Sequence, residues 1–305
     1  MKNEITAKRA FSMAGFLALI VILVKFVICD YLFPFVLFPG GDNLYIILLL
    51  PLILTYVILI PALWPFVKRS SNPELFPQKH SIPAKKLFTW FLVMFAVTRI
   101  IAVATTLIHN AIAGEPAEDP VALLQKQAPW LMFFLAVLVA PIAEEILFRG
   151  FLFKLLAPYG GKFYILVSGL LFSLFHININ QIPFAFVTGV FLAYLMYRTG
   201  DIRIPIFIHF VTNLISSAGV FFLGSDAGTN AVGVVMLALM VVGIIVLIVL
   251  LANRRLKQDI VFEPAAATAT AGQVWGNAGM TLFIIVAIIM TVYSKLFMMG
   301  LISFT

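Results

Sequence analysis

Residues 130–157 read WLMFFLAVLVAPIAEEILFRGFLFKLLA. The run is long and apolar enough to cross a bilayer as one helix, since ~20 residues suffice, yet Glu144, Glu145 and Arg149 stand in its middle. Ionisable groups at bilayer depth cost ~2.5–3.5 kcal/mol each on insertion scales, so each needs a partner, a wet cavity or a task. Helix neighbours differ by ~100° around the axis, whereas residues four apart share a face. Glu145 is therefore read as the partner of Arg149, an ion pair that supports the helix. Glu144 points elsewhere, has no cation at helical spacing, and is the candidate general base. Pro141 donates no backbone hydrogen bond, so a kink or a small polar opening beside the acids is expected.

The rest of the chain places this stretch in a membrane. The 305 residues are 63% hydrophobic with a mean hydropathy of +1.10, against ~45–50% apolar residues in soluble domains. Apolar stretches run over 11–38, 44–67, 87–112, 130–157, 162–177, 183–198, 204–223, 231–252 and 279–300. The expected fold is all-α, a polytopic transmembrane bundle of eight to nine spans forming a single membrane domain over 1–305. Within it, 1–128 supply N-terminal helices, 129–223 the core with the unusual polar residues, and 224–305 C-terminal helices. The lone Cys29 allows no internal disulfide. The first apolar run is too long for a signal-peptide core and reads as a retained helix.

With the N-terminus in the cytoplasm, the inner loops hold Lys68, Arg69, Lys79, Lys85, Lys86, Lys154, Lys162, Arg198, Arg203, Arg254, Arg255 and Lys257, and the outer loops only Lys126. The net charge of +7 is thus spent on orientation and not on nucleic acid. Absence of a eukaryotic retention motif points to a prokaryotic plasma membrane. Segments 68–86 and 253–277 read as linkers, and the last helix as an appendage. The partners implied are the lipid bilayer and a peptide or protein substrate in or at it; oligomeric state is silent.

Two further polar patterns lie in apolar runs. Phe172 and His176 are four apart, which sets the ring on the histidine's face, and His209 and Asn213 are four apart, which presents two donors together to a developing oxyanion or a bound carbonyl. Counting from the inner helix ends, Glu144 and His176 share a depth of ~20 Å at ~1.5 Å per residue, whereas His209 is shallower unless its helix enters lower. No acid is evident beside either histidine. Lys25, Asp30, Arg99 and Lys295 are read as snorkelling or locally paired, His80 and His109 as solvated, and Asn178, Asn180 and Gln181 as a connecting turn. There is no HExxH, no paired-aspartate GxGD and no GxSxG. What remains, one free glutamate, two histidines and an asparagine, suits hydrolysis of an acyl bond by an activated water.

EExxxR at 144–149, FxxxH at 172–176 and HxxxN at 209–213, in that order, resemble the CPBP family, also called Abi or CAAX-protease and bacteriocin-processing, which includes the type II CAAX prenyl endopeptidase. The resemblance covers residues 130 to 223. It implies an intramembrane endopeptidase acting near the inner leaflet, with Glu144 and His176 activating water, His209 and Asn213 forming the oxyanion hole, and Glu145, Arg149 and Phe172 in support. Members are commonly labelled metalloproteases, so zinc on Glu144, His176 and His209 is one option; a glutamate mechanism needing no cofactor is the other. A non-catalytic protein for bacteriocin immunity, peptide sequestration or transport is the alternative function.

Overall fold

A computed structural model of the chain describes residues 5–26, 49–50, 52–70, 79–113, 129–221, 226–255, 260–262 and 268–298. Cys29, Asp30 and Lys126 lie outside these. Among the described residues every regular element is helical: α1 (Ala7–Ile22), α2 (Ile60–Ser70) after a π-helical start at Ile53–Leu59, and α3 (Ala84–Ala113). The composite helix α4 covers 129–156 and is followed by α5 (Gly161–Leu174), α6 (Ile182–Thr199) and α7 (Arg203–Phe221). Then come α8 (Asp226–Ala252), the short α9 (Ala271–Trp275) and α10 (Ala278–Met298).

Among the described residues seven helices are long and apolar enough to cross a membrane, so the protein is an integral, multi-pass helical bundle. The other two expected spans are helices as well but fall outside the seven. α5 has only 14 residues. α7 carries His209, Thr212, Asn213, Ser216 and Ser217 along its 19 residues, polar groups that interrupt its apolar run.

Lipid gives no hydrophobic reward for helix association, so close backbone approach through small residues has to supply it. A Cβ on Gly15 would collide with the backbone of Gly279, which sets α10 directly on α1. The last helix is therefore a packed member of the bundle and not an appendage. The segment before it is docked too: Ala269 N donates to Tyr159 O at 3.0 Å, Tyr159 Oη donates to Ile5 O, and Val261 N donates to Tyr194 Oη at 3.2 Å. These bonds, with His80 N donating to Arg198 O at 2.8 Å, gather the basic loops at one end of the bundle.

Candidate active site

The site begins with the backbone of α4, which is α-helical over Pro129–Phe134, π-helical over Leu135–Val139, α-helical over Ala140–Glu145, π-helical over Ile146–Phe151 and α-helical again over Leu152–Leu156. Ala140 N–H bonds back five residues to Leu135 O, and Leu152 N–H to Leu147 O. Each return from five- to four-residue spacing skips one carbonyl, here those of Ala136 and Phe148. Side chains from other helices take both: Asn213 Nδ2 donates to Ala136 O at 2.8 Å, and Ser168 Oγ to Phe148 O at 3.0 Å. Pro141 follows the first return and has no N–H with which to carry the π register on to Ala136. The polar opening expected beside the acids is this carbonyl. One of Asn213's two amide hydrogens is committed to it and the other is left for the site.

Glu145 and Arg149 are both fully buried, and Arg149 Nη1 donates to Glu145 Oε1 at 2.9 Å. The expected i,i+4 pair is present. Arg149 also donates from Nη2 to Gly189 O at 2.8 Å, and its guanidinium lies 4.4 Å from the centroid of the Phe172 ring. Its second partner is reachable because α5 and α6 cross through glycine. A Cβ on Gly189 would stand 2.9 Å from Gly169 Cα and 3.0 Å from Phe172 Cδ1.

His209 stands between the two glutamates, with Nδ1 2.9 Å from Glu145 Oε1 and Nε2 4.0 Å from Glu144 Oε2. Glu145 is thus the acid missing from the sequence around His209, and that expectation is corrected: 64 residues separate the pair, beyond any local pattern. The shallow depth expected of His209 is also resolved. Ile202 Cδ1 lies 3.4 Å from where a Cβ on Gly150 would be, so α7 starts at the level of Gly150, well inside the bundle.

His176 sits just past α5, half-buried, its Nδ1 2.8 Å from Phe172 O. That contact makes Nδ1 the protonated nitrogen and leaves the Nε2 lone pair outward. The Phe172 ring packs edge-on against His176 at 4.9 Å and against His209 at 5.7 Å, so it orients both imidazoles, twice what the four-residue spacing indicated. The following residue, Ile177, has φ 49° and is buried. A β-branched residue in the left-handed region is strained, and such strain persists where the surroundings over-determine it.

Other polar residues fall away from this centre. His109 is buried with Lys295 Nζ 3.2 Å from its Nε2, which corrects its expected solvation and gives Lys295 a local partner. Asn178 Oδ1 accepts from Asn180 N at 2.9 Å, a turn as expected. Among the described residues no three His, Cys, Asp or Glu side chains converge closely enough to hold a metal ion.

A helical membrane bundle with an acid–histidine–asparagine centre buried at the crossing of α4, α5 and α7 is the architecture on which the three motifs lie. Residues 126–215 match the family model described as type II CAAX prenyl endopeptidase Rce1-like. The chain is 28% identical over 195 residues to the membrane-embedded CAAX protease MroQ of Staphylococcus aureus, covering 59% of this chain and 76% of that one. It is 33% identical over 102 residues to the putative membrane peptidase YdiL of Bacillus subtilis, covering 33% of this chain and 42% of that one. No solved structure matches. The family resemblance carried by the three motifs is thereby shown over the segment that holds them. It supports a protease of the membrane, with a peptide or protein substrate at the bilayer.

Proposed function

We propose that the protein hydrolyses a peptide bond of a membrane-associated protein or peptide with a water activated by Glu144. The observation that carries this is the placement of His209, pinned at Nδ1 by Glu145 and directed with Nε2 toward Glu144. Glu144 takes one proton from the water, whose other hydrogen is held by the outward Nε2 of His176. The water oxygen adds to the scissile carbonyl carbon. The oxyanion is met by the second Asn213 N–H and by His209 Nε2–H, and since Nδ1 already donates to Glu145 the ring must carry both protons to do this. Collapse breaks the C–N bond, and the leaving amine takes the proton from Glu144. No step passes through a metal. The basic end of the bundle is assigned to the cytoplasm, in the plasma membrane of a prokaryote.

Cleavage of a fluorogenic membrane-peptide library by the purified protein, with and without stringent metal chelation, tests this. The expected result is turnover that survives chelation and falls about 10²–10⁴-fold in Glu144→Gln. Equal cleavage by wild type and Glu144→Gln removes the proposed base. Loss on chelation with recovery on adding zinc overturns the metal-free route.

A further inference from the structure

Lys25, in the π-helical extension of α1, and Arg99, in α3, are cations inside spans for which no carboxylate partner is found among the described residues. Each rests on aromatic faces instead. Arg99 Cζ is 5.4 Å from the Phe95 centroid and 5.7 Å from that of Phe184. Lys25 Nζ is 5.0 Å from the Phe26 centroid and 4.6 Å from that of Phe175. Ring faces offset only part of the cost of an ammonium held among apolar side chains, so each cation keeps the capacity to bind an anion. The two differ in where they stand. Phe175 directly precedes His176 and packs edge-on to Phe148 at 5.4 Å, inside the wall of the site. Lys25 is also near enough for its charge to act on His176, as Glu144 and His209 do. At ~1.5 Å per residue it lies beyond the site as measured from the basic end.

We propose that Lys25, standing on Phe175 beside His176, recognises a carboxylate of the peptide substrate. The proposal rests on the peptidase reading and adds a specificity-determining residue to it. An ammonium is a point charge with three rotatable donors, not a planar fork, so it accepts either a C-terminal carboxylate or an acidic side chain. The charge-assisted bond is stronger than a neutral one, which makes charge on the peptide the discriminating feature.

Three fluorophore-labelled apolar helical peptides in detergent micelles test it: one with a free C-terminal carboxylate and no acidic side chain, one amidated with a single Glu, and one amidated with no acid. Fluorescence anisotropy on full-length protein in a Glu144→Gln background reads affinity without turnover, and cleavage is read in parallel with Glu144 intact. The expected result is at least about tenfold tighter binding of one acid-bearing peptide over the uncharged one; which one identifies the source of the carboxylate. Lys25→Met brings the ratio toward one and Lys25→Arg keeps it. Lys25→Glu shifts the preference to a fourth peptide, amidated and bearing a single Lys. Equal affinities for all three peptides, or a uniform loss across them in Lys25→Met, overturn the proposal. Carboxylate-selective binding without cleavage upholds Lys25 and defeats the peptidase reading, whereas unselective cleavage does the reverse.

Discussion

Nδ1 of His209 and Nη1 of Arg149 meet the same oxygen, Oε1 of Glu145, each at 2.9 Å. A carboxylate with no solvent exposure holds one helix to itself and to another, so structure and site depend on one atom. Removing one member of a buried ion pair leaves a charge uncompensated and costs about 3–5 kcal/mol. Glu145→Leu is expected to lower the melting temperature in detergent far more than Glu144→Gln, whose parent carboxylate makes no hydrogen bond among the described residues and has its one ion-pair contact, with His209, at 4.0 Å. Thermal unfolding of the two variants side by side checks this, and a larger loss in Glu144→Gln reverses the assignment of support and base.

The bond from Asn213 to Ala136 O gives a coupling that can be measured. Asn213→Leu strands a buried carbonyl, at about 1–3 kcal/mol, and removes the proposed oxyanion donor, with an expected loss of about 10²–10³ in rate. Pro141→Ala restores an N–H and lets α4 close its turn with backbone bonds. The stability cost of Asn213→Leu should then shrink in the Pro141→Ala background while the rate loss persists. A double-mutant cycle in unfolding free energy reads the difference, and strict additivity in stability refutes the link between the proline and the asparagine.

How far the sequence discloses this site depends on the range of the physics involved. The Glu145–Arg149 pair and the shared faces of Phe172 with His176 and His209 with Asn213 follow from the 3.6-residue period. The helical character of the apolar stretches, wherever they are described, follows from their length and apolarity. The contact of His209 with Glu145, the carbonyl of Gly189 at Arg149 and the hydroxyl of Ser168 on Phe148 join residues far apart in sequence, and helical spacing is silent on them. Register changes were invisible as well. Pro141 marks the first, but nothing in ILFRGF marks the second π segment. Of the nine expected spans, the two outside the seven found among the described residues are α5, which is short, and α7, where polar residues of the site interrupt the apolar run.

The glycine crossing of α5 and α6 was missed for the same reason, and it bears on activity directly. Gly189→Val places methyl groups where Gly169 Cα and Phe172 Cδ1 already stand. It must push α6 outward and draw Gly189 O away from Arg149. The expected outcome is a large loss of both melting temperature and peptidase rate. Gly233→Ala, where a Cβ meets nothing within 4 Å, should be neutral or stabilising by up to about 1 kcal/mol. If Gly189→Val matches Gly233→Ala in both assays, the crossing does not hold the site.

Ile177 separates strain from stability. Its φ of 49° costs about 1–3 kcal/mol in a β-branched residue, while burying its side chain returns about 1.5–3 kcal/mol. Ile177→Gly removes both terms, so the net change in unfolding free energy should stay within about 1 kcal/mol. The turn after His176 nevertheless loses the buried anchor that fixes its path, and the Nδ1 contact with Phe172 O is then held by the helix end alone. Peptidase rate should fall about tenfold or more at nearly unchanged melting temperature, since small misplacements of a catalytic group are costly. Measuring both on one preparation decides the matter: a rate that tracks stability makes Ile177 a packing residue, and a rate that falls alone makes the strained turn part of what holds His176 in place.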